Sequence, residues 1–173
     1  MSSANLNGSG AQSYQDFQGP SPDDVIRQLN SFLRGEISAA ETYRLAIDSA
    51  SAKQDTGAAR APDVATLREI QQEHGRAAQA IRDRIRELGG EASDSSGAWG
   101  TWAKFTTSLA NLFGDASTLK ALKEGEEHGL KDFEDGLDEL DMTSCELVEN
   151  QLIPAQQRHV KLLDQMIRSV TAA

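Results

Sequence analysis

The chain has 173 residues, enough for one domain with a substantial core, and a formal net charge of −10 at pH 7. This acidity argues against a nucleic-acid partner, which needs clustered Lys and Arg, and it gives no attraction to an anionic membrane surface. The single cysteine, Cys145, excludes an intrachain disulfide and a cysteine-based metal cluster, and no apolar run of about eighteen residues could span a bilayer.

The N-terminal residues 1–20 are mainly Ser, Gly, Asn and Gln, a composition that predicts a disordered tail. They have neither the basic start nor the apolar middle of a secretory signal. Together with the lone thiol, this favours a cytoplasmic protein. Residues 21–173 form the predicted domain.

The first two predicted helices are separated by a polar link at residues 51–60. Ser21 is a favourable N-cap, and apolar residues recur at helical spacing from there to about Ala50. The second helix opens near Asp63 and ends at Gly89, a typical C-terminal signal.

Two further long helices follow in the second half of the chain. The third is predicted from Asp115 to Leu140 by its Leu and Phe spacing. The fourth begins near Thr143, which could form a capping box with Glu146. Pro154 lies inside this helix, where a kink that frees the carbonyl of residue 150 is expected.

The lengths of the connections indicate how these helices pack. Short links favour an antiparallel hairpin within each half, whereas the connection at 89–114 is long and contains a Trp-rich segment, 98–113, that predicts a short extra helix. No sustained period-two pattern is present, so the fold class is all-α. One long crossover between two hairpins predicts a four-helix bundle.

The two halves of the chain share a pattern of residues in the same order. A Gly-Glu pair with an aromatic residue seven positions after the Glu occurs in the first and third helices, and a Gln-Gln-x-His motif occurs in the second and fourth. The residues are Glu36 and Tyr43 with Glu126 and Phe133, and Gln71 and His74 with Gln156 and His159. Two independent matches indicate an internal repeat.

Polar residues of every long helix fall on the face that is otherwise apolar. They are Glu36, Gln71, His74, Glu126, Gln156 and His159. A buried carboxylate is costly unless it is paired, protonated or bound to a metal. The periodicity therefore predicts a polar cluster in the core of the bundle.

Two explanations of this cluster remain open. Histidine and carboxylate from facing helices suit one Fe, Mn or Zn ion, and residues at i and i+3, such as Gln71 with His74 or Gln156 with His159, can present two atoms to it. The same residues could instead form a metal-free hydrogen-bonded layer that fixes helix register in a structural or interaction protein. The cofactor prediction is one ion or none.

A Glu on each of two helices, with an i, i+3 pair ending in His on each of the others, resembles the ferritin-like superfamily. The chain looks most like small bacterial ferritin-like four-helix-bundle proteins classed as a domain of unknown function. Residues 33–36 and 86–90, the Trp-containing connection and the Gly125-Glu126 pair carry this resemblance. It covers about residues 21–170 and implies an up-down-down-up bundle whose long crossover carries a short extra helix.

The resemblance also implies a set of metal ligands. Active di-iron members use Glu, Glu-x-x-His, Glu and Glu-x-x-His, whereas Gln71 and Gln156 stand here in place of two of the glutamates. The retained residues are Glu36, His74, Glu126 and His159. A neutral amide cannot supply the charge that bridges two cations, so a non-catalytic protein with one ion is favoured over a di-iron oxidase.

Nothing in the sequence identifies a substrate or a protein partner. Trp99 and Trp102 fit a crossover packed on the bundle better than a partner surface. A homodimer is the working hypothesis for the oligomeric state.

Overall fold

The computed structural model describes residues 19–55, 63–97 and 115–172. Its elements are α1 (Pro22–Asp55), α2 (Val64–Glu87), α3 (Asp115–Asp135), a 3-10 turn (Leu137–Glu139), α4 (Met142–Leu147), a π-helical turn (Val148–Leu152) and α5 (Ile153–Thr171). These ranges contain no strand, which confirms the all-helical prediction for them. The Trp-rich segment 98–113, and all of the predicted tail except residues 19 and 20, lie outside the described residues.

The predicted ends of the first two helices are largely confirmed. The Ser21 hydroxyl accepts a hydrogen bond from the Asp24 amide at 3.3 Å, and the Asp63 carboxylate accepts one from the Ala65 amide at 3.0 Å, so both residues act as N-caps. At the end of α2, Gly89 has φ +78° and the next amide returns to the carbonyl of residue 85 at 2.9 Å. However, α1 continues to Asp55, beyond the expected end near Ala50.

The start of the fourth long helical stretch differs from the prediction. The capping box at Thr143 and Glu146 is wrong, because α4 already begins at Met142. Asp141 is the N-cap, and its carboxylate accepts from the Ser144 amide at 2.8 Å. Because Asp141, two residues before Thr143, accepts from an amide of the first turn, Thr143 lies within the helix.

The π-helical turn joins α4 to α5 without a break, since Leu147, Val148 and Ile153 all keep right-handed helical angles. The amide of Ile153 bonds to the carbonyl of Val148, one residue further back than in an α-helix. Pro154 comes shortly after this turn. It has no N–H to donate, which is why the sequence predicts a kink here, and the structure has the wider turn just before it. After the turn, Gln156, His159, Leu163 and Met166 form the buried face of α5.

Contacts within each half of the chain show antiparallel pairs. On α1 and α2, Gln71 bonds to the carbonyl of Ala40 and His74 contacts Glu36, so higher numbers on one helix meet lower numbers on the other. On α3 and α5, Lys123 pairs with Asp164 at 2.8 Å and Gln156 reaches Glu126.

Contacts between the halves are antiparallel as well. Phe32 on α1 packs edge-on against Phe133 on α3 with ring centroids 4.9 Å apart, and Tyr43 meets residue 126. Across α2 and α5, Glu73 pairs with Arg158. Further along, the Arg84 guanidinium bonds to the Asp141 carboxylate at 2.6 Å.

The buried apolar residues form two clusters with a polar layer between them. The first cluster contains Leu29, Phe32, Leu33, Ala78, Ile81, Phe133 and Leu152, and the second contains Tyr43, Ile47, Leu67, Ile70, Leu119, Leu122 and Leu163. On each long helix the predicted polar residue lies between the two sets in sequence. Among the described residues, no helix is long and apolar enough to cross a membrane.

Candidate metal centre

One residue from each long helix meets in this polar layer. Glu36 on α1, His74 on α2, Glu126 on α3 and His159 on α5 are 5%, 1%, 0% and 2% exposed. Their inward orientation follows from helical spacing, since each replaces an apolar residue on a buried face. The structure therefore brings together the four retained residues of the predicted set.

Glu126 is the centre of the cluster. Its Oε1 lies 3.0 Å from Nε2 of His74, and its Oε2 lies 3.2 Å from Nδ1 of His159. The two imidazole rings have centroids 4.9 Å apart. Glu36 lies behind His74, with its Oε2 2.8 Å from Nδ1 of that ring. Glu36 thus contacts the outer nitrogen of His74.

Tyr43 is a further member of the cluster. Its hydroxyl donates a hydrogen bond of 2.5 Å to Oε1 of Glu126. Burial, together with the negative charge of Glu126, raises the pKa of the Tyr43 phenol well above its usual value, so it remains a donor. Phe133, which follows Glu126 by seven residues as Tyr43 follows Glu36, has no hydroxyl and packs against Phe32.

Sequence reasoning missed Glu73, which closes the outer side of the cluster. Its Oε2 lies 2.9 Å from Nε2 of His159 and accepts a 2.6 Å hydrogen bond from Nη2 of Arg158. Glu73 and Arg158 occupy the same place in the two Gln-Gln-x-His motifs, with opposite charges. That complementarity was the signal from which their pairing could have been inferred.

The two glutamines bind main-chain carbonyls. Gln156 is buried and its Nε2 donates to the carbonyl of Glu126 at 3.1 Å, whereas Gln71 is half-buried and its Nε2 donates to the carbonyl of Ala40 at 3.4 Å. Gln156 therefore borders the cluster, and the amide of Gln71 is directed to the backbone of α1.

The charges in the layer stabilise one another. Burial alone would raise the pKa of the Glu126 carboxyl, but attraction to His74 and hydrogen bonds from both histidines lower it to about 2. Burial alone would lower the pKa of His74, but attraction to Glu126 and Glu36 outweighs it and raises the pKa to about 10. In the metal-free protein, these interactions favour the imidazolium form of His74.

Three of these residues could hold a metal ion. Ligand atoms of His74, Glu126 and His159 all lie within 4.8 Å of one another. A cavity of about 20 Å³, with room for about one water, lies beside this group and is lined by Glu36, His74, Gly129 and Gln156 among others. A methyl group at Gly129 would come within 2.8 Å of Nε2 of Gln156, so the glycine leaves space for that amide.

Comparison with known proteins gives a family without an assigned role. A family model described as Domain of unknown function (DUF2383) matches residues 24–139, about two thirds of the chain. This range includes Glu36, Glu73, His74 and Glu126 and ends before His159. No curated protein matches the chain.

Proposed function

Because the chain belongs to the family described as Domain of unknown function (DUF2383), its role has to be inferred from its site, and we propose that it is a ferritin-like protein that binds one divalent Fe, Mn or Zn ion. The observation that carries the proposal is the placement of one carboxylate between two imidazoles, with a further carboxylate behind each ring. His74, Glu126 and His159 would hold the ion.

The outer carboxylates support a metal over a simple polar layer. A histidine that binds a metal commonly directs its other ring nitrogen to a carboxylate, which fixes the ring and increases its basicity. Here Nδ1 of His74 faces Glu36, and Nε2 of His159 faces Glu73. The inner nitrogens of both rings are left directed at Glu126.

The charge balance also fits a divalent ion. Each inner nitrogen lies at hydrogen-bonding distance from an oxygen of Glu126, so two protons can occupy the space between these groups. One M²⁺ ion would replace two protons without changing the net charge of the layer. Metal binding would then release protons, as is usual for histidine sites.

The distances and donor types are compatible with such an ion. Two ligands about 2.0–2.1 Å from a tetrahedral ion are about 3.3 Å apart. The corresponding separations here are 3.0 and 3.2 Å. Two imidazoles and one carboxylate suit Zn or Fe and leave a coordination position open.

The helix arrangement supports the ferritin-like part of the proposal. If α1 runs up, the antiparallel contacts require α2 and α3 to run down and α5 to run up. The connection between the two hairpins is the long one. These directions agree with the topology of a bundle with one crossover, in which metal sites form from side chains on facing helices.

A pair of irons is less well supported. The amides of Gln71 and Gln156 already donate to main-chain carbonyls, and neither carries the negative charge that a second cation requires. Glu36 and Glu73 lie behind the imidazoles, where they orient the rings. We therefore propose a single ion and a metal-handling or structural role in preference to a di-iron oxidase.

Elemental analysis of protein purified without an affinity tag tests the metal proposal. We expect about one Fe, Mn or Zn per chain in the wild type and a loss of most of it in His159→Gln and Glu126→Gln. Glu36→Gln should weaken binding about 10–100-fold without abolishing it, since it acts behind His74. His128→Gln is the matched control, because His128 is 41% exposed and pairs with Asp132.

Equally low metal in the wild type and all variants, each with unchanged helicity, would contradict the proposal. That result would support the second candidate, a metal-free helical protein in which the layer fixes helix register. The observation favouring this alternative is that every ring nitrogen of both histidines already has a carboxylate partner.

A further inference from the structure

The cluster reaches solvent between α2 and α5. Side-chain exposure is 0% for Glu126, 1% for His74, 2% for His159 and 6% for Glu36, but 18% for Glu73. Among the described residues, Glu73 is therefore the member of the cluster most open to water. A cation that approaches from this side meets the Glu73 carboxylate first and His159 next.

The opposite seam, between α1 and α3, contains the cavity of about 20 Å³, room for about one water, and aromatic side chains narrow it. Phe32 and Phe133 pack edge-on with their ring centroids 4.9 Å apart, and the Tyr43 hydroxyl covers one oxygen of Glu126. The seam between α2 and α5 is bridged instead by the ion pair of Glu73 with Arg158, while the pair of Arg84 with Asp141 joins α2 to the start of α4. Ion pairs near the surface open at lower cost than packed aromatic rings.

Two arginines stand at the mouth of this seam. Nη2 of Arg158 lies 2.6 Å from Oε2 of Glu73, the same oxygen that contacts His159, and Nη2 of Arg76 lies 3.7 Å from Oε1. The side chains of Arg158 and Arg76 are 54% and 66% exposed, so both can turn into solvent. While Arg158 is in place, it neutralises the carboxylate and repels a cation.

Resting on the proposed metal site, we infer that Glu73 and Arg158 form a charge gate through which a divalent cation exchanges with the cluster. When Arg158 swings away, its guanidinium no longer neutralises Glu73, and this carboxylate next to His159 captures the cation. When Arg158 returns, Glu73 is held against Nε2 of His159 and the path is closed. Arg158 controls the rates of exchange in both directions.

Stopped-flow binding of Co²⁺ to the metal-free full-length chain tests this gate, with visible absorption as the readout and a chelator to measure release. In Arg158→Gln we expect association and release both to be faster by about fivefold or more, with little change in Kd. In Glu73→Gln we expect association to be slower by a similar factor. Raising the salt concentration should reduce the effect of Arg158→Gln, because the repulsion is screened.

Two charge-matched controls lie elsewhere on α2. Arg86→Gln and Glu87→Gln alter exposed side chains about 20 Å along the helix from Glu73, and they should leave both rates within twofold of the wild type. Wild-type rates in Arg158→Gln, or a change in release alone, would overturn the gate and leave the metal site standing. A wild type that binds no Co²⁺ at equilibrium would contradict the proposed function, and the gate with it.

Discussion

Glu126 is fully buried, and three side chains compensate for the loss of its hydration. Tyr43 and His74 contact Oε1, and His159 contacts Oε2. A buried ion pair contributes little compared with an apolar substitute, but removal of one partner leaves a charge without compensation. The negative charges of the layer are therefore compensated together. Protons compensate them in the metal-free state and, in our proposal, a metal ion does so.

The stability of the metal-free protein should fall when the pH is raised from 5.5 to 8.5. The pKa of His74 is about 10 in the folded state and near 6.5 in the unfolded state. Its contribution to the free energy of unfolding is therefore complete below pH 6.5 and is lost as the pH rises towards 10. The pKa of Glu126 is lowered from 4.5 to about 2, so its contribution is present above pH 4.5 and is lost below that value. Both contributions are complete between about pH 4.5 and 6.5.

Urea unfolding in the presence of a chelator measures this dependence. We expect a loss on the order of 2 kcal/mol between pH 5.5 and 8.5 in the wild type. His74→Gln should be less stable at pH 5.5 and should show a smaller change with pH. A wild type and variant with parallel pH profiles would show that His74 is not held as an imidazolium.

The inward residues could be predicted from periodicity, whereas the contact of Glu73 with His159 could not. Glu36, His74, Glu126 and His159 each interrupt an apolar stripe, which is a local property of one helix. Glu73 precedes His74 by one residue and is partly exposed, a pattern typical of an ordinary solvated glutamate. Its role depends on α5, whose rotation against α2 no local pattern specifies.

At the level of the helices, the second half of the chain holds most of the differences from prediction. Asp141 caps α4 and also pairs with Arg84 on α2, so one carboxylate fixes both the start of the helix and its place on the bundle. The π-helical turn lies directly before Pro154, and Gln156 and His159 face inward about one and two turns after it. A proline in the sequence indicates a disturbed helix but does not specify whether it kinks or widens.

Asp141→Ala should lower the free energy of unfolding by about 1–2 kcal/mol, because it removes the cap and the contact with Arg84. Thr143→Ala should change it by less than about 0.5 kcal/mol, since Thr143 is an exposed residue inside the helix. Denaturant titration of both variants at pH 6 makes the comparison. A larger loss in Thr143→Ala than in Asp141→Ala would restore the capping box as the start of the helix.

At the level of the whole molecule, two apolar clusters are joined through the polar layer. An ion that bound there would contact α2, α3 and α5 and would therefore connect the two hairpins. Because an unfolded chain does not hold His74, Glu126 and His159 together, such an ion would bind the folded state selectively and stabilise it. The all-helical fold class follows from the sequence, whereas this link between the halves required the contacts across the seams.

Anomalous diffraction at the Mn, Fe and Zn absorption edges, from crystals of untagged protein that has not been treated with chelator, tests the metal site most directly. We expect one anomalous peak at coordination distance from Nε2 of His74, Nδ1 of His159 and the carboxylate of Glu126. Crystals without a peak at any of the three edges, in which Glu126 still accepts hydrogen bonds from both imidazoles, would contradict the proposal that this site binds a metal.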